Sequence, residues 1–343
     1  MKRLVLYLFF VKFTVILSGC NIEDSGYNGF LGQNNSMWTQ SMFLRGYKPS
    51  SNERLEEKHI QELARNVNAH KVKYVYIFAG PFQSDGHLPK YGFSQTAINS
   101  VRLLKSYSPQ LVILPWIGGI QNKTVYLEDS TWVQNALTDT KKLIETLKVS
   151  GVHVDFEFLL PGDPYLDRTI PRVQTTNDLE TYGNNVNLFH AKLRKQVPTA
   201  FISSVVLASI AQTKPWKRKT THHELEKLIQ NIDQLCFLYY DTQIDNQYDF
   251  SVGCLNLIQG IDSLSLKKNI QYLIGIGTFT NEPQLRKYRN MQIENVQNTL
   301  NVIRRNARDV NSKKRIVDGI AIYCDWATDQ NEWNQFKDGW VKY

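Results

Sequence analysis

Ser150-Gly151-Val152-His153-Val154-Asp155-Phe156-Glu157-Phe158 carries both a fold signal and a chemical one. Side chains on a strand point alternately to its two faces, so Val152, Val154, Phe156 and Phe158 share one face. His153, Asp155 and Glu157 share the other. If helices cover the apolar face, the titratable row points into the interior. Ionised groups withdrawn from water without partners cost several kcal/mol, so such a row is either paired or used. It ends at Glu157, at the carboxyl end of the strand.

The same kind of segment recurs along the chain. Further strand candidates are Met42–Tyr47, Tyr74–Ala79, Leu111–Ile117, Phe201–Leu207, Gln234–Tyr240, Tyr272–Gly277 and Ile316–Tyr323, with Val152–Phe158 the fourth in order. Amphipathic stretches fall between them, among them Asn52–Asn68, Val133–Val149, Leu179–Val197, Glu224–Ile232 and Glu294–Arg308. Ser50 with Glu53 and Thr221 with Glu224 have the spacing of a helix capping box. Alternating strands and helices require parallel pairing, and several strands are apolar on both faces. Eight such units predict a single α/β domain, a (β/α)8 TIM barrel over residues 40–343. Active sites of that fold lie at the carboxyl ends of the strands. The alternative, a doubly wound sheet, lacks the Gly-x-Gly-x-x-Gly that would follow its first strand.

The first residues have a different character. Lys2 and Arg3 precede an almost wholly apolar run over residues 4–17, and Leu17-Ser18-Gly19-Cys20 resembles a bacterial lipobox. Residues 1–19 thus read as a secretory signal peptide, and Cys20 as the lipidated (palmitate-bearing) residue. Residues 20–39, rich in Asn, Gly and Ser, read as a lipid-anchored tether. The expected location is the bacterial cell envelope, outside the cytoplasm and attached to a membrane. Residues 1–19 hold three basic and no acidic side chains, so their removal lowers the formal charge from +8 to +5. The remaining Lys and Arg are scattered rather than striped, which suits an anionic surface and gives no footprint for nucleic acid. Cys236, Cys254 and Cys324 have neither the spacing of a zinc site nor an even count, and read as buried free thiols. His222-His223 beside the basic stretch Lys214 to Thr221 reads as a solvated loop. No metal or cofactor is expected.

Taken together, four segments in order resemble the family 18 glycoside hydrolases, the chitinase-type barrels. Gly-x-x-x-Asp-x-Glu on the fourth strand matches the end of their Asp-x-x-Asp-x-Asp-x-Glu signature, with Ser150 and His153 at its first two acidic positions. Trp116-Ile117-Gly118-Gly119 is similar to the third-strand Ser-x-Gly-Gly, and Leu238-Tyr239-Tyr240-Asp241 to the sixth-strand Met-x-Tyr-Asp. Tyr323-Cys324-Asp325-Trp326 ends the eighth strand, where the family has a tryptophan under the sugar. The resemblance implies a retaining, substrate-assisted hydrolysis in which the 2-acetamido oxygen of the sugar is the nucleophile. Glu157 would be the general acid, Asp155 would orient the acetamido nitrogen, and Tyr240 would hold its carbonyl. Trp326 would form the floor, and Trp116, Asp241 and His153 would complete the substrate-binding set. The implied partner is a β-linked N-acetylhexosamine glycan, chitin-like or peptidoglycan.

His153 is expected to pair with Asp155, each favouring the charged form of the other. His87 and Tyr91 are further candidates for sugar contacts, and a long loop from Leu160 to about Asn177 is expected to shape the site. The replaced acids leave a second expectation, a catalytically inactive carbohydrate-binding barrel of the envelope; a purely structural envelope protein is the third. Replacing Cys20 by Ala should abolish lipid labelling and release the protein from the membrane fraction; unchanged labelling refutes the lipobox reading.

Overall fold

The structure is a computed structural model, and it describes residues 33–159, 171, 176–207, 225–242, 244–265, 270–281, 289–306 and 316–342. Cys20, most of the tether, the Thr221/Glu224 cap, His222-His223 and most of the loop after Leu160 lie outside the described residues. Eight strands pair in chain order, all parallel, and the last closes onto the first. They are β1 (Asn35–Thr39), β2 (Val72–Phe78), β3 (Val112–Ile120), β4 (Gly151–Glu157), β5 (Phe201–Leu207), β6 (Gln234–Leu238), β7 (Gln271–Gly277) and β8 (Gly319–Tyr323). The helices outside them are α1 (Met42–Arg45), α2 (Glu57–Ala69), α3 (Gln95–Tyr107), α4 (Ser130–Leu147), α5 (Thr176–Gln196), α6 (Gln247–Ser265), α7 (Val296–Asn306) and α8 (Gln330–Phe336). This is the (β/α)8 TIM barrel expected from the alternation.

Two apolar assemblies hold it together, one on each side of the strands. Outside, Val152, Val154, Phe156 and Phe158 of β4 join the layer between barrel and helices. There Phe156 meets Phe189 of α5 edge to face, with ring centroids 4.9 Å apart. On α4, Trp132, Val133, Ala136, Leu137, Leu143 and Leu147 repeat at helical spacing and are all buried, each such side chain contributing roughly 1.5–3 kcal/mol, Ala less. Asp129 starts that helix by accepting the backbone N–H groups of Thr131 and Trp132. Inside, Trp38, Tyr76, Leu114, Cys236 and Leu273 fill the barrel. The three described cysteines are buried free thiols, and no described helix is long and apolar enough to cross a membrane.

Two local expectations are corrected. Met42–Tyr47 is not the first strand: Met42, Phe43 and Leu44 bury themselves on the short α1, which Gly46 ends in a left-handed conformation. The first strand is Asn35–Thr39, inside the stretch read as tether, so the barrel begins before residue 40. Its polarity hides it from a hydrophobic reading, because Asn35 and Thr39 are satisfied by distant residues. Asn35 Oδ1 accepts from Trp340 Nε1 at 2.8 Å and from the Ile320 N–H at 3.1 Å. Likewise, α2 is capped not by Ser50 with Glu53 but by Glu56, with His59 answering the Glu56 backbone N–H at 3.0 Å.

β3 and β4 meet closely where the site is built. Gly118 lies opposite Asp155, and Gly118 and Gly119 have φ of +150° and +139°. A Cβ on Gly118 would stand 1.8 Å from the Asp155 carbonyl oxygen. That atom cannot yield without moving the strand, so Gly118→Ala should cost about 3 kcal/mol or more, from a backbone clash added to a strained φ. A denaturation midpoint equal to the parent's would contradict this.

Candidate active site

β4 places its acids as the alternation predicts. His153 is fully buried, Asp155 is buried above it, and Glu157 is partly exposed at the carboxyl end of the barrel. Burial, with a smaller contribution from Asp241, raises the Glu157 carboxyl from its ordinary 4.5 to about 7. Burial and the neighbouring Glu157 hold Asp155 well above the ordinary carboxylate range, although the Trp116 side chain hydrogen-bonds to it. Asp155 Oδ1 is buried and has no hydrogen-bond partner. Asp155 therefore resists ionisation, and Glu157 exchanges its proton near neutral pH.

An aromatic wall surrounds the acids. Tyr240, two residues beyond β6, stacks on Tyr323 with centroids 5.0 Å apart and planes 11° apart. Trp326 and Trp116 meet Tyr323 edge-on at 6.0 and 6.3 Å, and Phe78 meets Trp116 at 4.5 Å. The charges of Asp155 and Glu157 act on both tyrosines, and burial is the main reason their hydroxyls are pushed far up. Glu157, Tyr240 and Trp326 therefore converge on one mouth. Asp241 follows Tyr240 with its side chain about half exposed and ion-paired to Arg289.

The centre of this wall is Tyr323, a residue missing from the sequence-derived set. Gly319, Ala321 and Tyr323 share the inward parity of β8, and Trp326 lies beyond the strand end. Strand alternation carried to the last residue of β8 would have found it. Trp38 was missed for another reason: its strand was placed too late in the chain.

His153 requires a correction. It neither faces the mouth nor pairs with Asp155. Trp38 Nε1 donates to its Nε2 at 3.1 Å, and since an indole N–H can only donate, that nitrogen is unprotonated. The ring proton therefore sits on Nδ1, 2.8 Å from Ser203 Oγ. Ser203 donates on to Gln234 Oε1 at 2.8 Å, which also accepts from Tyr76 at 2.5 Å. Tyr76 lies flat on the imidazole, centroids 3.7 Å apart. Burial holds His153 neutral, well below its ordinary value. Alternate residues on one strand lie about 6.6 Å apart, whereas adjacent strands are about 4.8 Å apart, so cross-strand neighbours captured the histidine.

His87 and Tyr91 are likewise structural. His87 Nδ1 is 3.1 Å from Asp139, and the Tyr91 hydroxyl donates to the Gly80 carbonyl at 2.9 Å. Among the described residues no group of His, Cys, Asp and Glu could hold a metal ion.

With a raised folded pKa, Glu157 binds a proton in the native state between about pH 4.5 and 7 that the unfolded chain has lost. Native stability must then fall as pH rises through that window. Glu157→Gln removes the effect, so the variant should match the parent near pH 4.5. By pH 8 it should exceed it by on the order of 2 kcal/mol. Parallel stability curves from chemical denaturation at the two pH values would refute the assignment.

No family model and no curated protein matches this sequence. Solved structures do match its fold. The spore cortex-lytic enzyme SleL of Bacillus cereus superposes with a TM-score of 0.56 at 12% identity, covering 91% of this chain and 75% of its own. A GH18 chitinase from Pseudoalteromonas aurantia gives 0.53 at 13%, covering 89% and 98%. The GH18 chitinase of Cycas revoluta in complex with (GlcNAc)3 gives 0.55 at 12%, covering 90% and 99%. At such identities the likeness is one of fold: this chain has the barrel of family 18 glycoside hydrolases.

Proposed function

We propose that this protein is a glycoside hydrolase of β-linked N-acetylhexosamine glycans, chitin-like or peptidoglycan, acting with retention through the substrate's own acetamido group. The observation that carries the reading is Glu157: a partly exposed carboxyl pushed up to about 7, set over buried Asp155, which is itself held above the ordinary carboxylate range, inside an aromatic mouth. An acid with that pKa holds its proton near neutrality and can release it, as general acid catalysis needs.

In this reading Glu157 protonates the leaving glycosidic oxygen as the C1–O bond breaks. The acetamido carbonyl oxygen bonds to C1 in the same step, giving a cyclic intermediate. Asp155 holds the acetamido nitrogen, and the Tyr240 hydroxyl its carbonyl. Water then attacks C1, returning its proton to Glu157 and opening the ring. The faces of Tyr323, Trp326 and Trp116 take the apolar side of a pyranose, while Asp241 lies at the rim. Because His153 is locked neutral below, Asp155 has Glu157 as its neighbouring acid for sharing a proton. We place this barrel in the bacterial envelope, outside the cytoplasm and held to a membrane through lipid on Cys20. Nucleic acid has no part in this reading, and no cofactor is invoked.

The same His153 favours a second reading, a barrel that binds the glycan without turning it over. Hydrolysis of chito-oligosaccharides and purified peptidoglycan, with binding measured in parallel, separates the two. For an enzyme, Glu157→Gln should lower turnover by about 10²–10⁴-fold while leaving sugar binding in place. The parent's activity should fall as pH rises through about 7, where Glu157 loses its proton. Turnover undiminished in Glu157→Gln refutes the assignment; a folded parent that binds but never hydrolyses supports the second reading.

A further inference from the structure

The turn after β6 is held from outside the mouth. Asp241 has φ +57°, a left-handed conformation that a residue with a side chain adopts when its surroundings impose it. Glu294, in the connection between β7 and α7, imposes it. One oxygen of its carboxylate accepts the Asp241 backbone N–H at 2.7 Å. The other accepts the Thr242 N–H at 2.9 Å and the Thr242 hydroxyl at 2.8 Å. Arg289 completes the arrangement: it pairs with the Asp241 carboxylate and lies 3.7 Å from Glu294. Both of these side chains are 4% exposed, whereas that of Asp241 is 53% exposed. The guanidinium also rests 3.6 Å over the Phe279 ring, which packs against Tyr240 and Tyr323.

A buried carboxylate and a buried guanidinium are thus committed to one exposed aspartate whose charge acts on Glu157. Among the described residues, the other titratable groups around Glu157 are Asp155 on the same strand, Tyr182 from α5, Tyr240 after β6 and Tyr323 ending β8. Of these groups and Asp241, the aspartate is the one with an exposed, movable side chain, and water would claim it if the turn relaxed. We infer that Glu294 and Arg289 are a positioning pair for the site's acid: they pin the Asp241 turn and so fix the negative charge that faces Glu157. The pair acts through Asp241 and touches no substrate. This inference rests on Glu157 being the functional acid, but its test needs no turnover.

The experiment is the titration of the Glu157 carboxyl by carbon-13 NMR in the full chain without substrate, in the parent, Glu294→Gln, Asp241→Asn and the double variant. Glutamine replaces one acceptor oxygen by a donor, which opposes either the Asp241 or the Thr242 N–H. The Glu157 midpoint should fall below about 7, toward its ordinary 4.5, in each single variant. In the double variant it should fall no further than in Asp241→Asn, because two changes acting through one group are not additive. An unmoved midpoint in folded Glu294→Gln, even with a lower melting temperature, overturns the inference, as does a double variant equal to the sum of the singles. Should Glu294→Gln not fold, Arg289→Lys serves instead, since an ammonium lacks the planar fork that spans both carboxylates. An unmoved midpoint there overturns the inference equally. Absence of hydrolysis in the parent would count against the proposed function while leaving this reading intact.

Discussion

Two carboxyl groups side by side on a buried strand cannot both ionise cheaply, and the upper half of this barrel is organised around that constraint. Burial raises the proton affinity of both carboxyls, with Glu157 adding to it at Asp155 and Asp241 adding to it at Glu157, and Tyr240, Tyr323, Trp116 and Trp326 stand around them. The aromatic wall withholds from the acids the solvent that would return them to ordinary behaviour. A more open mouth would be a weaker acid site.

Below the acids the barrel solves the opposite problem. His153, Ser203, Gln234, Trp38 and Tyr76 are polar or carry a polar atom and are hydrogen-bonded to one another, with the Gln234 amide donating on to Gln271. A buried network is stable when its members are satisfied. Protonating His153 would set its Nε2–H against the Trp38 indole N–H, so the network excludes the charge that the fold would otherwise have to neutralise. Titration is thereby confined to the layer above, where Glu157 is partly exposed.

The legible part of the chain was the part governed by local pattern. The apolar runs marked seven of the eight strands, and the alternation in residues 150–158 placed Asp155 and Glu157 on the inward face. The resemblance of Trp116–Gly119 and Leu238–Asp241 to chitinase-type motifs, rather than pattern alone, then pointed to Gly118, Tyr240 and Asp241. What pattern missed was determined across the barrel. β1 is polar and pays for its burial through Trp340, some 300 residues away in sequence. His153 has a face-mate two residues along, but its partners come from β1 and β5. Glu294 and Arg289 resemble any surface charges on an amphipathic segment, and only closure of the ring brings them under the β6 turn. Strand parity foretells which way a side chain points; it cannot foretell which of several neighbours it will choose.

This division bears on which parts of the chain could vary while the barrel and its two acids stay in place. Alternation of strand and helix can be met by many sequences, which is why the barrel persists at 12% identity to the cortex-lytic enzyme. The mouth is less tolerant. Gly118 admits no side chain against the Asp155 carbonyl, and the acids must stand on the face that β4 turns inward. Changes at Ser150, His153 and Trp116 fall on neither restriction. Ser150 precedes the strand, His153 lies in the sealed layer, and the Trp116 side chain stays within reach of Asp155 while adding aromatic surface. These residues set the acids' surroundings without moving them. The geometry of the two carboxyls then follows from the fold, and their acidity from the residues packed against them.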